Sequence, residues 1–146
     1  MILIIGIGNT LRQDDGAGWA LAERLAGAIR ESGWNCRVLR VQQLAPENAM
    51  DIVAEDVTSV CFADVALDAA GLRLVGLKAI DSLTEGARVA HQIGPGTVLA
   101  YAGTLGAHEP AAWLFTVGGV WFDHGEGLSE TVKHALEDTE AIRGAA

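Results

Sequence analysis

The chain has 146 residues, enough for one domain with a single core and short for two. Half of the residues are apolar and aromatics are scarce, which suits a globular fold with a β-branched central layer and Ala/Leu-rich helices. The 19 acidic against 10 basic side chains leave a formal net charge of −9 with no recurring basic patch, which argues against nucleic acid and anionic membrane surfaces as partners.

The N-terminal run Ile2–Ile5 reads as a continuous apolar strand. It has no basic flank, Gly6 and Gly8 interrupt it early, and it is too short for a signal segment or a membrane span. Gly16–Arg30 follows as a helix, because Leu21, Ala22, Leu25 and Ile29 recur at spacings of three and four. Arg37–Val41 is a second strand, and Pro46 at a helix N1 position opens a short helix to about Ala54. Val57–Ala63 is a buried strand closed by Asp64, and Leu72–Leu77 is a further strand after a tight turn. Pro95 starts a helix through Leu105, with Val98, Leu99, Ala102 and Leu105 on one face. Ala112–Val117 is the last strand, and Ser129 is the N-cap of a final helix carrying Val132, Leu136 and Ile142. Strands alternating with helices, without repeats or linkers, predict one three-layer α/β/α sandwich spanning residues 1–146. Its sheet is expected to be mostly parallel, with a mixed edge allowed.

Cys36 and Cys61 lie far apart and outside any C-x-x-C spacing, which excludes a disulfide scaffold or a zinc ribbon. Cys61, within Val60-Cys61-Phe62-Ala63, is expected to pack as a small apolar residue. With no leader and no span in the sequence, a cytoplasmic location is expected.

The densest chemical signal is Gly6-Ile7-Gly8-Asn9-Thr10-Leu11-Arg12-Gln13-Asp14-Asp15-Gly16-Ala17-Gly18, running from a strand end into a helix. Ligand sites in open α/β sheets gather beyond the carboxyl ends of the strands. A dinucleotide fingerprint fails here: Leu11 stands where its third glycine belongs, and Val41-Gln42-Gln43 offers no acid for a ribose. Twin aspartates before the helix would also repel a pyrophosphate. Taken singly, Asp14 and Asp15 are expected as helix-capping residues, Asp64 as a loop-start acid and His91 as a surface histidine. Taken together, two carboxylates at strand ends and one histidine make an O,O,N metal site with open positions. His124 is expected in a polar loop and His134 on a solvent-facing helix side, while Trp113 and Trp121 are expected to pack in the core.

Gly6-x-Gly8-Asn9-x-Leu11-x-x-Asp14-Asp15-x-x-Gly18 resembles the N-terminal signature of hydrogenase maturation endopeptidases. Ala45-Pro46-Glu47-Asn48, Phe62-Ala63-Asp64 and His91-Gln92 resemble later motifs of that family, in order along nearly the whole chain. Phe122-Asp123-His124-Gly125-Glu126-Gly127-Leu128-Ser129 is similar to the C-terminal segment of members serving bidirectional, NAD-linked hydrogenases. The resemblance implies an α/β/α fold and an endopeptidase that trims a nickel-loaded [NiFe]-hydrogenase large-subunit precursor. It implies Asp15, Asp64 and His91 as metal ligands, with the nickel carried by the substrate and no nucleotide or organic cofactor. Many members carry an acid and paired glycines where this chain reads Val41-Gln42-Gln43. Either that acid is dispensable, or Glu47 or Asp14 fills its role.

Nickel held by cysteine thiolates in such a precursor accepts carboxylate oxygens and an imidazole at its open positions. Ligation would bring the peptide bond beside an activated water, with Asp15 or Asp64 as the base and Asp14 in reserve. The rival reading is a nickel- or precursor-binding accessory protein without peptidase activity, which needs the same triad but no base.

Overall fold

The computed structural model describes residues 1–67, 71–77, 93–106, 110–138 and 144. Ile2–Ile7 forms β1, a 3₁₀ turn follows over Gln13–Gly16, and Ala17–Glu31 is the helix α1. Cys36–Val41 is β2, Asn48–Ile52 is α2 and Ser59–Ala66 is β3. Leu72–Leu77 is β4, Pro95–Leu105 is α3, Ala111–Gly118 is β5 and Glu130–Leu136 is α4.

The strand order is β2-β1-β3-β5-β4. The first four run parallel and β4 closes the edge antiparallel to β5, so the sheet is mixed but mostly parallel, as the sequence predicts. Strands covered on both faces need apolar residues at consecutive positions, which is why β1 and β3 read as unbroken apolar runs. Alternate residues of those strands face two separate core layers. Ile4, Cys61, Ala63, Val65, Phe115 and Val117 pack with α1 and α4 on one side. Leu3, Ile5, Ile7, Val60, Phe62 and Leu114 pack with α2 and α3 on the other.

Several boundaries move. β3 continues past Asp64 to Ala66, so that aspartate lies inside the strand rather than at its end. The β3–β5 ladder explains the extension: it continues through Asp64↔Thr116 to Ala66↔Gly118. α2 is shorter than the Pro46–Ala54 expectation, because the Asn48 side chain draws Ala45, Pro46 and Glu47 into a turn, accepting from the Ala45 N–H at 2.8 Å. Ser129 caps α4 as expected, its Oγ accepting from the Val132 N–H at 3.3 Å, while Ile142 lies outside the described residues. Trp113 and Trp121 do not pack in the core; they are 37% and 51% exposed. Trp121 follows β5 in a segment whose backbone is tied to the β1–α1 loop, and Trp113 lines an open apolar groove with Leu25, Ile29 and Leu74.

Both cysteines are buried and unpaired with each other. Burial pushes the Cys61 thiol up to about 12, far from the range where a thiolate reacts. Native protein at neutral pH should therefore leave Cys61 unmodified by iodoacetamide, with labelling only after unfolding; labelling of folded protein at the rate of a free thiol would contradict this packing.

Candidate functional site

Going outward along the sheet, β1 connects to β2 on one side, and the chain then returns to place β3 on the other. The order reverses between β1 and β3, and the crevice beyond the carboxyl ends of such a strand pair is where α/β folds bind ligands. Asp15 follows β1 and Asp64 lies near the end of β3, so both acids stand at this edge.

Close backbone packing builds the β1–α1 connection. A methyl group on Gly8 would lie 2.0 Å from the Asp15 carbonyl oxygen, so only glycine lets the chain pass there. The Gly8 N–H donates to the Val41 carbonyl at 2.9 Å, which also accepts from Trp19 Nε1 at 2.9 Å, joining the end of β2 to this loop. The Asn9 N–H donates to the Asp15 carbonyl and the Asp15 N–H to the Arg12 carbonyl, each at 3.1 Å. Further on, α1 comes so near the sheet that a methyl on Gly18 would sit 2.0 Å from the Ile7 carbonyl oxygen and 3.1 Å from the Asp64 Cα. The motif's glycines thus serve backbone approach, with no phosphate required to explain them. The 3₁₀ turn packs against β3, which brings the backbones carrying the two acids together.

Asp15 is 3% exposed, and its Oδ1 is buried without a hydrogen-bond partner among the described residues. Asp64 is fully buried, and one of its oxygens accepts from the Val65 N–H at 2.7 Å. Strand alternation puts Asp64 on the Val60 and Phe62 face, toward the α2 and α3 layer. The capping expectation fails: Gly16 is the N-cap of α1, and among the described residues no side chain caps that helix.

Asp14 has a different environment from its neighbour. Its Oδ2 accepts from the Val120 N–H at 2.8 Å, the Trp121 N–H at 2.9 Å and the Ser129 hydroxyl at 2.7 Å. Its Oδ1 accepts from the Ser129 N–H at 2.7 Å. Burial alone would raise its pKa, but the hydrogen bonds from Ser129, Val120 and Trp121 outweigh that and hold the carboxyl below the usual range. The sequence marks Ser129 as a cap but gives no sign that its hydroxyl proton goes to a residue 115 positions earlier.

His91 and the Gln92 beside it lie outside the described residues, as do His108 and Glu109. Among the described residues, no group of three or more His, Cys, Asp or Glu side chains is placed to hold a metal ion. His124 and His134 are exposed, as the sequence suggests; Glu47 and the Gln42-Gln43 pair are exposed as well. No helix among the described residues is long and apolar enough to cross a membrane.

No protein-family model and no curated protein sequence matches the chain. Solved structures do. The [NiFe] hydrogenase maturation protease HybD from Thermococcus kodakarensis superposes with a TM-score of 0.70 at 22% identity, covering 99% of this chain and 97% of that one. The [NiFe] hydrogenase maturation protease HycI from Thermococcus kodakarensis KOD1 gives 0.68 at 25% identity, covering 98% and 90%. The hydrogenase maturating endopeptidase HybD from E. coli gives 0.70 at 20% identity, covering 99% and 93%. Over essentially its whole length, the chain has the fold of the [NiFe] hydrogenase maturation proteases, the family that its motifs resemble.

Proposed function

We propose that the protein is an endopeptidase that removes the C-terminal extension of a nickel-loaded [NiFe]-hydrogenase large-subunit precursor and so activates that enzyme in the cytoplasm. The observation that supports this most is Asp15, a buried carboxylate at the sheet's reversal point with one oxygen that no described residue satisfies. A buried polar atom without a partner costs about 1–3 kcal/mol, more when charged, so such a group persists where an incoming cation or donor completes it. Precursor-borne nickel is such a cation. Asp15, in the 3₁₀ turn after β1, and Asp64, in β3, supply hard oxygen donors, and His91 is the third ligand in the family resemblance. The metal arrives as part of the substrate, so ligation reports that insertion is complete.

The chemistry asked of the chain is then modest. Holding the nickel by the two carboxylates fixes the nearby peptide bond against the site, which makes attack by water effectively intramolecular. One of these carboxylates takes the water's proton as oxygen adds to the carbonyl carbon. The proton passes to the amine as the C–N bond breaks. Asp14 has both oxygens engaged by donors and serves as neither ligand nor base in this reading.

The test is incubation with nickel-loaded and nickel-free precursor, reading the C-terminal mass. The likeness of Phe122–Ser129 to members serving bidirectional hydrogenases makes such a precursor the first to try. Cleavage of the loaded form alone is the expected outcome. Full processing of the nickel-free precursor would refute recognition through the metal, even if the protein proved to be a peptidase.

A further inference from the structure

We infer that Asp14 is a positioning residue, which clamps the segment after β5 onto the turn carrying Asp15 and so fixes where that carboxylate stands. The inference rests on the peptidase reading for its kinetic consequence, though not for its structural one. Two chain segments far apart in sequence meet here. The Asp14 N–H donates to the Trp121 carbonyl at 2.8 Å, and the Trp121 N–H returns to Asp14 Oδ2 at 2.9 Å. The Gln13 N–H donates to the Gly125 carbonyl at 3.0 Å, and the Gly125 N–H donates to the Leu11 carbonyl at 2.8 Å. Arg12 reaches the Phe122 carbonyl at 3.1 Å. Residues 11 to 14 are therefore held along one side by residues 121 to 125, with Ser129 closing the far end.

Gln13 adopts φ +51°, the only non-glycine among the described residues in the left-handed region. That conformation is disfavoured for a residue with a Cβ, and persists only where the surroundings over-determine it. Here the surroundings are the clamp. Gln13 lies two residues before Asp15, so its relaxation to an ordinary φ would rotate the chain that carries the carboxylate. The Asp14 side chain makes the densest of these ties, receiving four donors from three residues of the later segment. Displacing reacting groups by about 1 Å can cost about 10²-fold in rate, so the clamp acts on catalysis without touching substrate.

Asp14→Asn keeps the shape but sets an amide NH₂ against N–H or O–H donors at whichever oxygen position it takes. Its kcat for precursor cleavage should fall by about 10- to 100-fold with KM within about threefold, since binding groups remain while their alignment is lost. Hydrogen exchange should accelerate about tenfold or more at the amides of Val120, Trp121, Ser129 and Asp15, with the β1 and β3 amides unchanged. Ser129 supplies a second route, independent of Asp14's own folding. Ser129→Thr retains both the helix cap and the hydroxyl donor and should process precursor at a near wild-type rate. Ser129→Asp retains the cap but faces Asp14 with a second carboxylate, and should reproduce the Asp14→Asn defect. Unchanged kcat in Asp14→Asn, exchange that quickens only beyond residue 119 and not at Asp15, or equal activity of the two Ser129 variants would each overturn the inference. If the wild type cleaves no precursor, the peptidase reading falls, and the exchange pattern still decides whether Asp14 positions Asp15.

Discussion

Asp15→Asn should lower precursor processing by about 10²–10⁴-fold, the range typical for loss of a general base, while the protein remains folded. The substitution keeps size and shape and removes only the negative charge. Were Asp15 a helix cap, asparagine would serve nearly as well and activity would barely change. The fold removes that alternative, since Gly16 occupies the N-cap of α1 and no described side chain caps the helix. What remains is a buried carboxylate whose Oδ1 meets no donor among the described residues. Neutralising it relieves a desolvation penalty, so the melting temperature should hold or rise as activity collapses. Loss of function with retained stability is the pattern of a group kept for chemistry rather than for folding. The readout is the C-terminal mass of nickel-loaded precursor beside a thermal melt followed by circular dichroism. Activity within about threefold of wild type would leave Asp15 with no place in either ligation or proton transfer.

The largest effect on stability should come from Gly18→Ala. The added methyl would lie 2.0 Å from the Ile7 carbonyl oxygen, 2.8 Å from the Ala63 carbonyl oxygen and 3.1 Å from the Asp64 Cα. All three are backbone atoms of the central strands, so no side chain can swing away to make room. Relief requires moving α1 off the sheet and giving up part of the Ile4, Ala63 and Val65 layer beneath it. Overpacking usually costs about 1–3 kcal/mol, and a clash with backbone on two strands belongs at or beyond the upper end. Gly27 lies in the same helix with nothing within 4 Å of a built methyl, which makes it an internal control. Gly27→Ala should raise stability by about 0.5–1 kcal/mol through helix propensity alone. Urea unfolding of the two variants gives opposite signs if this packing is right. A Gly18→Ala midpoint within experimental error of wild type would mean that α1 does not approach β1 and β3 as described.

The strands were legible because their function is burial. Ile2–Ile5 and Val57–Ala63 are apolar at consecutive positions, and only a strand covered on both faces requires that. Their reading stops short at Asp64 because an acid normally ends a buried run, whereas here it sits fully buried inside β3. Local rules fail most often at functional or strained positions, which is why a buried acid inside a strand marks Asp64 as a candidate. Twin aspartates before a helix look like caps, since sequence spacing cannot distinguish a carboxylate facing its own helix from one facing a distant loop. Asp14 faces Val120, Trp121 and Ser129, contacts created only by tertiary packing. The same blindness sent Trp121 to the core: its backbone is committed to Asp14, and the ring is left half-exposed. The motif glycines, by contrast, were visible as a pattern, but their cause was not, because close approach of two backbones leaves no mark on either one.

The strand order also has a consequence for synthesis on the ribosome. β2, β1 and β3 come from the first 66 residues and can pair as soon as they emerge. The outer edge of β3 then waits for β5, and β4 emerges before the strand it pairs with, because its neighbour among the described strands is β5. A growing chain therefore exposes an open parallel edge and an unattached strand until residue 118 has left the exit tunnel, the condition under which nascent chains mispair. The clamp comes later still, since Ser129 must emerge before Asp14 has all its donors. Asp15 and Asp64 are both present in the half-made protein, but the turn bearing Asp15 is secured only near the end of translation, so immature chains would lack the arrangement of the candidate site.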